Sequence, residues 1–198
     1  METNRDIARE LARKYSTMTH EELDIMEELI VPMKFRRGEQ ILKEGDVCRN
    51  IYYIHQGLIR QYYYKATKNK KEVTEHIGVE RTIFMCIESL FKEEPTRVLV
   101  EALEPSIIYA LPKHKLEMVA LHNVNIQILY RKILEESLIL SQIHADLLRF
   151  ETADERYRKL CKMEPEVVRR TPLVHVASFL QMSPETLSRV RTNTLYER

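Results

Sequence analysis

The chain has 198 residues, which at roughly 150 residues per domain bounds it to one large domain or two small ones. Hydrophobic residues make up 44% and charged residues 31%, a globular balance that excludes a disordered or collagen-like chain. Lys and Arg number 31 against 30 Asp and Glu, so a histone-like basic polymer is excluded, whereas a DNA-binding protein with charge sorted onto one face is not. Glycine occurs only 4 times, never at the close spacing of a P-loop or dinucleotide fold.

The N-terminus, METNRDIARELARKY, carries no apolar run of signal-peptide length. No stretch approaches the roughly 20 apolar residues that span a bilayer, so a cytoplasmic protein with no membrane partner is expected. The first 30 or so residues read as helix. Within them Thr19-His-Glu-Glu22 is a capping box, followed by Leu23, Met26, Leu29 and Ile30 at helical spacing, with Pro32 closing the segment.

From Met33 to about Pro112 the pattern turns to strands. Runs rich in Ile, Val and Tyr occur at Gln40-Ile-Leu42, Ile51–Ile54, Leu58–Tyr64, Val98–Ala102 and Ile107–Leu111. Turn signals separate them at Arg37-Gly-Glu39, Glu44-Gly-Asp46, Gln56-Gly57 and Glu104-Pro105, and Lys68-Asn-Lys-Lys71 reads as a polar hairpin tip. Strands at this spacing predict an antiparallel sandwich or barrel.

Helical periodicity returns from about Lys113. Ile126, Leu129, Ile133, Glu136, Leu140, Ile143 and Leu147 step by threes and fours, a heptad seam with one polar interruption. A helix from Asn123 to Arg149 is about 40 Å long at about 1.5 Å per residue. Its apolar stripe needs a partner. Either the β region covers it within one chain, or a second copy does across a two-fold axis; the second is the expectation, with Ile126, Leu129, Ile133, Leu140, Ile143 and Leu147 as the dimer interface.

Residues 151–198 carry 9 basic and 7 acidic residues, a slight positive sorting. Within them Pro172–Arg191 has the layout of a helix-turn-helix. A support helix over Leu173–Leu180 turns Val176, Ala177 and Leu180 inward, and Gln181-Met182 forms the turn. Ser183 caps a second helix with Pro184 at its first position, where a missing N–H is no loss. Leu187 and Val190 face the core, leaving Glu185, Thr186, Ser188, Arg189 and Arg191 exposed. Arg can pair guanine O6 and N7 in a bidentate way, and Glu can accept from cytosine N4. Glu185 and Arg189 are therefore the candidate base readers, with Ser183, Thr186, Ser188 and Arg191 on phosphates or neighbouring bases.

The stretch Ile41–Arg60, with Gly45-Asp46, Ile51-Tyr-Tyr-Ile54 and Gly57 at their spacing, resembles the cyclic-nucleotide-binding β-roll. With the long helix and the helix-turn-helix in this order, residues 20–192 resemble the bacterial Crp–Fnr transcription regulators. The resemblance implies an α+β chain in three parts: a β-roll or jelly-roll sensor domain at 1–122 with its N-terminal helix, a dimerisation helix at 123–150, and a helix-turn-helix domain at 151–198. It implies a homodimer on a palindromic operator of double-stranded DNA, with RNA polymerase as a further partner.

The chain departs from that family in its cassette. Members that bind cyclic AMP carry Phe-Gly-Glu-Leu, then Arg-Ser or Arg-Thr before the next strand. Phe84-Met-Cys-Ile87 and Pro95-Thr-Arg-Val98 stand there instead, with Met85 for the Gly, Cys86 for the Glu and Thr96 for the Arg. Strand alternation turns Arg97 to the opposite face, although a one-residue slip restores it. The expected effector pocket is thus Phe84, Met85, Cys86, Thr96 and Arg97, binding no cyclic AMP in the usual way and no identified cofactor. Cys48, Cys86 and Cys161 form no C-x-x-C pair and read as reduced thiols rather than metal ligands, with a thiol switch at Cys86 as the sharper alternative. His76, on an expected strand from Glu72 to Ile77, reads as a solvated residue rather than a haem ligand.

Two departures touch the reading head. Gln181 stands where the turn usually has Gly and is expected in a left-handed conformation. Only Thr192–Arg198 follow where the family continues into a two-stranded wing, so a wingless head is expected. No Ser/His/Asp order, paired carboxylates or metal cluster suggests an enzyme. The competing reading is a ligand-binding or protein-interaction module with a vestigial helix-turn-helix.

Overall fold

The computed structural model describes residues 3–66 and 71–196. Two short helices begin the chain, α1 (Asn4–Tyr15) and α2 (His20–Leu29), where one helical segment was expected. Each starts on a capping box, Thr3 with Asp6 and Thr19 with Glu22, whose side chains satisfy the first backbone N–H groups. Ile7, Leu11 and Tyr15 of α1 and Leu23, Met26 and Leu29 of α2 fall on buried faces at helical spacing.

Eight strands follow: β1 (Val31–Phe35), β2 (Gln40–Leu42), β3 (Asn50–Gln56), β4 (Ile59–Tyr64), β5 (Glu72–Gly78), β6 (Ile83–Phe84), β7 (Leu99–Ala102) and β8 (Ser106–Pro112). They form two antiparallel four-stranded sheets in the orders β1-β8-β3-β6 and β2-β7-β4-β5. The expected strands are all present; β1 and β6 are additional. Pro32, expected to end a helix, lies in β1 opposite Tyr109. A proline is tolerated there because β1 is an edge strand. Residues 67–70, within the expected hairpin tip, lie outside the described residues; beside them the Lys65 N–H donates to the Lys71 carbonyl at 2.9 Å.

Gly57 turns the chain between β3 and β4 at φ +114°, a region L side chains rarely adopt. A Cβ there would meet the Ser106 backbone at 2.8 Å, so the turn admits only glycine. A short helix, α3 (Ile87–Lys92), interrupts the sheets after β6, and its signal is too short for periodicity to reveal. Helices α4 (Lys113–Ala120), α5 (Val124–Phe150), α6 (Ala153–Met163), α7 (Pro165–Arg170), α8 (Leu173–Phe179) and α9 (Pro184–Tyr196) complete the described chain. No helix among the described residues is long and apolar enough to cross a membrane.

The α5 seam is not the continuous interface its heptads suggested. Ile126, Leu129 and Ile133 are 0%, 0% and 1% exposed within the chain's own main core. The interruption, Glu136, accepts hydrogen bonds from the Tyr15 hydroxyl and, at 2.9 Å, from the Lys14 ammonium. Leu147 packs against a second core further along. Only Leu140 and Ile143 of the expected interface are exposed, flanked by exposed Leu138 and Ile139. A heptad shows that a stripe is covered but not by what, and here α1, α4 and β6 lie against its first half. Replacing Leu129 by Ala is expected to lower unfolding stability by about 2–5 kcal/mol, and replacing Val124, exposed on the same helix, by Ala to lower it by no more than about 0.5 kcal/mol. Urea unfolding of both variants checks the split; equal effects would place Leu129 outside the core.

Candidate nucleic-acid interface and effector pocket

The support helix α8 ends in a Schellman arrangement. The Met182 N–H donates to the Ala177 carbonyl at 2.9 Å and the Gln181 N–H to the Ser178 carbonyl at 3.1 Å. Gln181 takes the left-handed position at φ +51°, as the missing glycine required. Val176, Ala177 and Leu180 are buried, as are Leu187 and Val190 on α9. The Arg156 guanidinium donates at 2.7 Å to the Leu180 carbonyl, satisfying an orphan acceptor at the end of α8.

At the start of α9 the Ser183 hydroxyl accepts from the Thr186 N–H at 3.1 Å, and also donates to the Thr186 hydroxyl at 3.2 Å. Both hydroxyls therefore hold the helix N-terminus in place. Glu185, Ser188, Arg189 and Arg191 are exposed, Thr186 half-buried. The Glu185 carboxylate is held below its ordinary value, first by a hydrogen bond from Ser183 and then by its own backbone N–H. Rather than beginning a wing, Thr192 continues the helix, its hydroxyl donating to the Ser188 carbonyl at 3.1 Å.

The expected effector pocket divides. Phe84, Met85, Cys86 and Thr96 are buried. Phe84 stacks on Tyr52 with ring centroids 4.9 Å apart, and Gln61 of β4 points its amide toward Cys86, 4.0 Å from its sulfur. Thr96 is occupied by backbone: its hydroxyl accepts from the Val98 N–H at 2.9 Å, while its N–H donates to the Asp46 carbonyl at 2.8 Å. Arg97 is exposed and lies near Glu88 on the surface. It therefore leaves the group, from a bend ahead of β7 rather than from a strand.

The joint between roll and head escaped the sequence reading. Leu58, Ile77 and Val79 of the roll share a second core with Val176, Phe179 and Leu180. The Thr74 N–H of β5 donates to the Ser178 hydroxyl of α8 at 2.9 Å. Arg170 at the end of α7 spans two roll carboxylates, Glu80 at 2.6 and 3.0 Å and Glu104 at 2.6 and 3.3 Å. Burial raises Glu80, but the Arg170 bonds and the Gly57 N–H outweigh it and leave the carboxyl at about 2. Arg60, buried on the opposite face of β4 from Gln61, is bound by Thr74, Glu101 and Glu72. The one signal available was an arginine inside a strand of Ile, Tyr and Gln.

Three histidines meet at this joint. His76 of β5 is pushed down to about 4 by burial and then by neighbouring His144. His144 of α5 stacks on Phe179 at 4.2 Å and lies 3.3 Å from its carbonyl, and burial lowers it too. His175 of α8 is lowered by burial and by Arg60. The expected solvated residue at position 76 is thus a packed one.

Residues 32–123 match the family model of the cyclic nucleotide-binding domain. The roll is a cyclic nucleotide-binding domain. Around this cyclic nucleotide-binding domain, the chain shares its fold with FixK2 from Bradyrhizobium japonicum, at TM-score 0.68 and 18% identity over 85% of each chain. CLP, the c-di-GMP responsive global regulator of Xanthomonas campestris, aligns at TM-score 0.66 and 12% identity, covering 90% of this chain and 93% of that one. The Catabolite Activator Protein of Thermus thermophilus aligns at TM-score 0.55 and 20% identity, over 94% and 87%. No curated protein matches the chain in sequence. At these identities the likeness is one of fold, that of the Crp/Fnr regulators.

Two outcomes follow from the joint. The histidines bind protons less readily in the docked head than when free, so docking is fully stable above their ordinary value of 6.5 and weakens as pH falls from there toward about 4. Glu80 has the carboxylate sign, its contribution lost only between 4.5 and about 2. The protection of the Thr74 amide against hydrogen exchange, taken relative to its intrinsic rate at each pH, should therefore fall first below pH 6.5; onset only below 4.5 would remove the histidines from the joint. Separately, Gln181→Gly relieves the left-handed side chain and should raise stability by roughly 1 kcal/mol in thermal unfolding.

Proposed function

We propose that this chain is a transcription regulator of the Crp/Fnr type, acting as a homodimer on a palindromic operator. The observation that carries the reading is the helix-turn-helix: a short support helix, a Schellman turn at Gln181, and α9 with Glu185, Ser188, Arg189 and Arg191 exposed on a buried Leu187–Val190 anchor. No enzymatic chemistry is proposed for it. Glu185 and Arg189 are the base readers, and Ser188 and Arg191 phosphate or neighbouring-base contacts. Ser183 and Thr186 set the register of α9 through the capping bonds already described.

The dimer reading now rests on the exposed turn-and-a-half of α5 bearing Leu138, Ile139, Leu140 and Ile143, rather than on the buried part of the seam. Two α9 helices about 34 Å apart would enter successive major grooves on one face of the duplex. RNA polymerase is proposed as the protein partner through the regulator reading alone. The roll is proposed to sense an effector other than cyclic AMP, since the buried Met85, Cys86 and Thr96 offer no cation and Arg97 faces solvent. In thermal unfolding, cyclic AMP is expected to give no stabilisation, whereas a bound ligand at 100 times its Kd would add about 2.7 kcal/mol.

Binding of labelled duplex across a salt series tests the DNA reading. Affinity should fall steeply with salt, and Arg189→Ala should cost roughly 1–3 kcal/mol on the preferred site and little on random duplex. Salt-independent binding, or none, would overturn the reading. An equal loss on both duplexes would make Arg189 a phosphate contact.

A further inference from the structure

A cleft opens between α1 and the roll, and none of its walls belongs to the expected effector pocket. Its volume is about 570 Å³, in the range of small-molecule sites. One face of α1 forms one side; Tyr53 and His55 of β3 and the turn between β5 and β6 form the other. Three arginines meet there. Arg9 and Arg13 stand one turn apart on the same face of α1, and Arg81 reaches in from the β5–β6 turn. Arg81 takes a left-handed backbone at φ +66°, a conformation few L residues adopt. Its N–H fixes it there by donating to the Ile54 carbonyl of β3 at 2.8 Å.

The carboxylates of the cleft are already engaged. Asp6 accepts from the Thr3 N–H at 3.0 Å and the Thr3 hydroxyl at 2.7 Å, and pairs with Arg9 at 3.4 Å. Glu10 pairs with Arg81 at 3.1 Å. Glu80 accepts from the Gly57 N–H and from the Arg170 fork of the head. Among the described residues Arg13 pairs with no carboxylate, and Arg9 and Arg81 pair with one each. A guanidinium carries five N–H donors, so the donors at this cleft outnumber the acceptors the protein supplies.

We propose that this cleft binds a phosphorylated small molecule, whose phosphoryl group is held by Arg9, Arg13 and Arg81. A phosphoryl group brings close to two negative charges and three acceptor oxygens, which matches three guanidinium groups better than one carboxylate does. The site adjoins the anchor of the head. Glu80 and Arg81 are neighbours in one turn; the first takes Arg170 of α7 and the second reaches α1. A ligand on Arg81 steadies the turn that carries Glu80, so occupancy tightens the docking of head on roll. The proposal stands whether or not the chain binds DNA.

Inorganic pyrophosphate is the probe, titrated calorimetrically into the full chain at constant ionic strength. Saturable binding is expected, weakened about tenfold or more in Arg13→Gln and in Arg81→Gln. Arg37→Gln, at an exposed arginine outside the cleft, should leave it unchanged, and succinate should bind more weakly than pyrophosphate. Protection of the Thr74 amide against hydrogen exchange should rise at saturating pyrophosphate. No saturable binding, or a loss no greater in Arg13→Gln and Arg81→Gln than in Arg37→Gln, would overturn the site. Succinate binding as tightly as pyrophosphate would overturn the phosphoryl assignment, and unchanged Thr74 protection the link to the head. All three replaced arginines are exposed, so the variants disturb no core.

Discussion

What α9 presents to its surroundings depends on one seam, the burial of α8 against β5 and the β3–β4 turn. Leu58, Ile77 and Val79 supply its apolar half from the roll, Val176, Phe179 and Leu180 from the head. Removing such area from water is the dominant favourable term, but it is non-directional. Direction comes from the polar contacts around it. The Arg170 fork on Glu80 and Glu104 and the Thr74–Ser178 bond admit one orientation of head on roll. Gly57 belongs to the same device, since its N–H donates to Glu80 at 2.8 Å and its missing side chain lets Ser106 close the turn.

The joint is also where a change in the roll would be felt. Arg60 links β4, β5 and β7 through Thr74, Glu72 and Glu101, and Thr74 in turn holds Ser178. Gln61, the next residue, faces Cys86 on the pocket side. Adjacent residues of β4 thus touch the pocket corner and the head's docking face, the two-sided reach that strand alternation provides. Across the joint, His76, His144 and His175 are all kept neutral by burial, so proton uptake and docking oppose each other.

Much of this was legible beforehand, and for identifiable reasons. The helix-turn-helix was readable because Ser183-Pro184, buried Leu187 and Val190, and the Gln181 turn are local devices acting within a few residues. The strands were readable because Ile, Val and Tyr runs end at Gly and Pro. The chain could not announce α3, six residues long, or edge strand β1, where Pro32 hid the pattern. Nor could it say what covers a stripe: Ile126, Leu129 and Ile133 have the same spacing whether a second copy or α1 lies against them. Arg170 beside Glu80 is a tertiary pairing, invisible to spacing. Arg97 is exposed as expected, but it lies in a bend before β7, where alternation does not act.

The central claim is that α9 reads duplex DNA as one half of a symmetric pair. Selection of bound sites from randomised duplex, with purified chain at low and moderate salt, tests it most directly. The account predicts enrichment of a two-fold symmetric site whose half-sites lie one helical turn apart, weakening as salt rises. Recovery of no enriched sequence at either salt, or of a single asymmetric half-site, would contradict it.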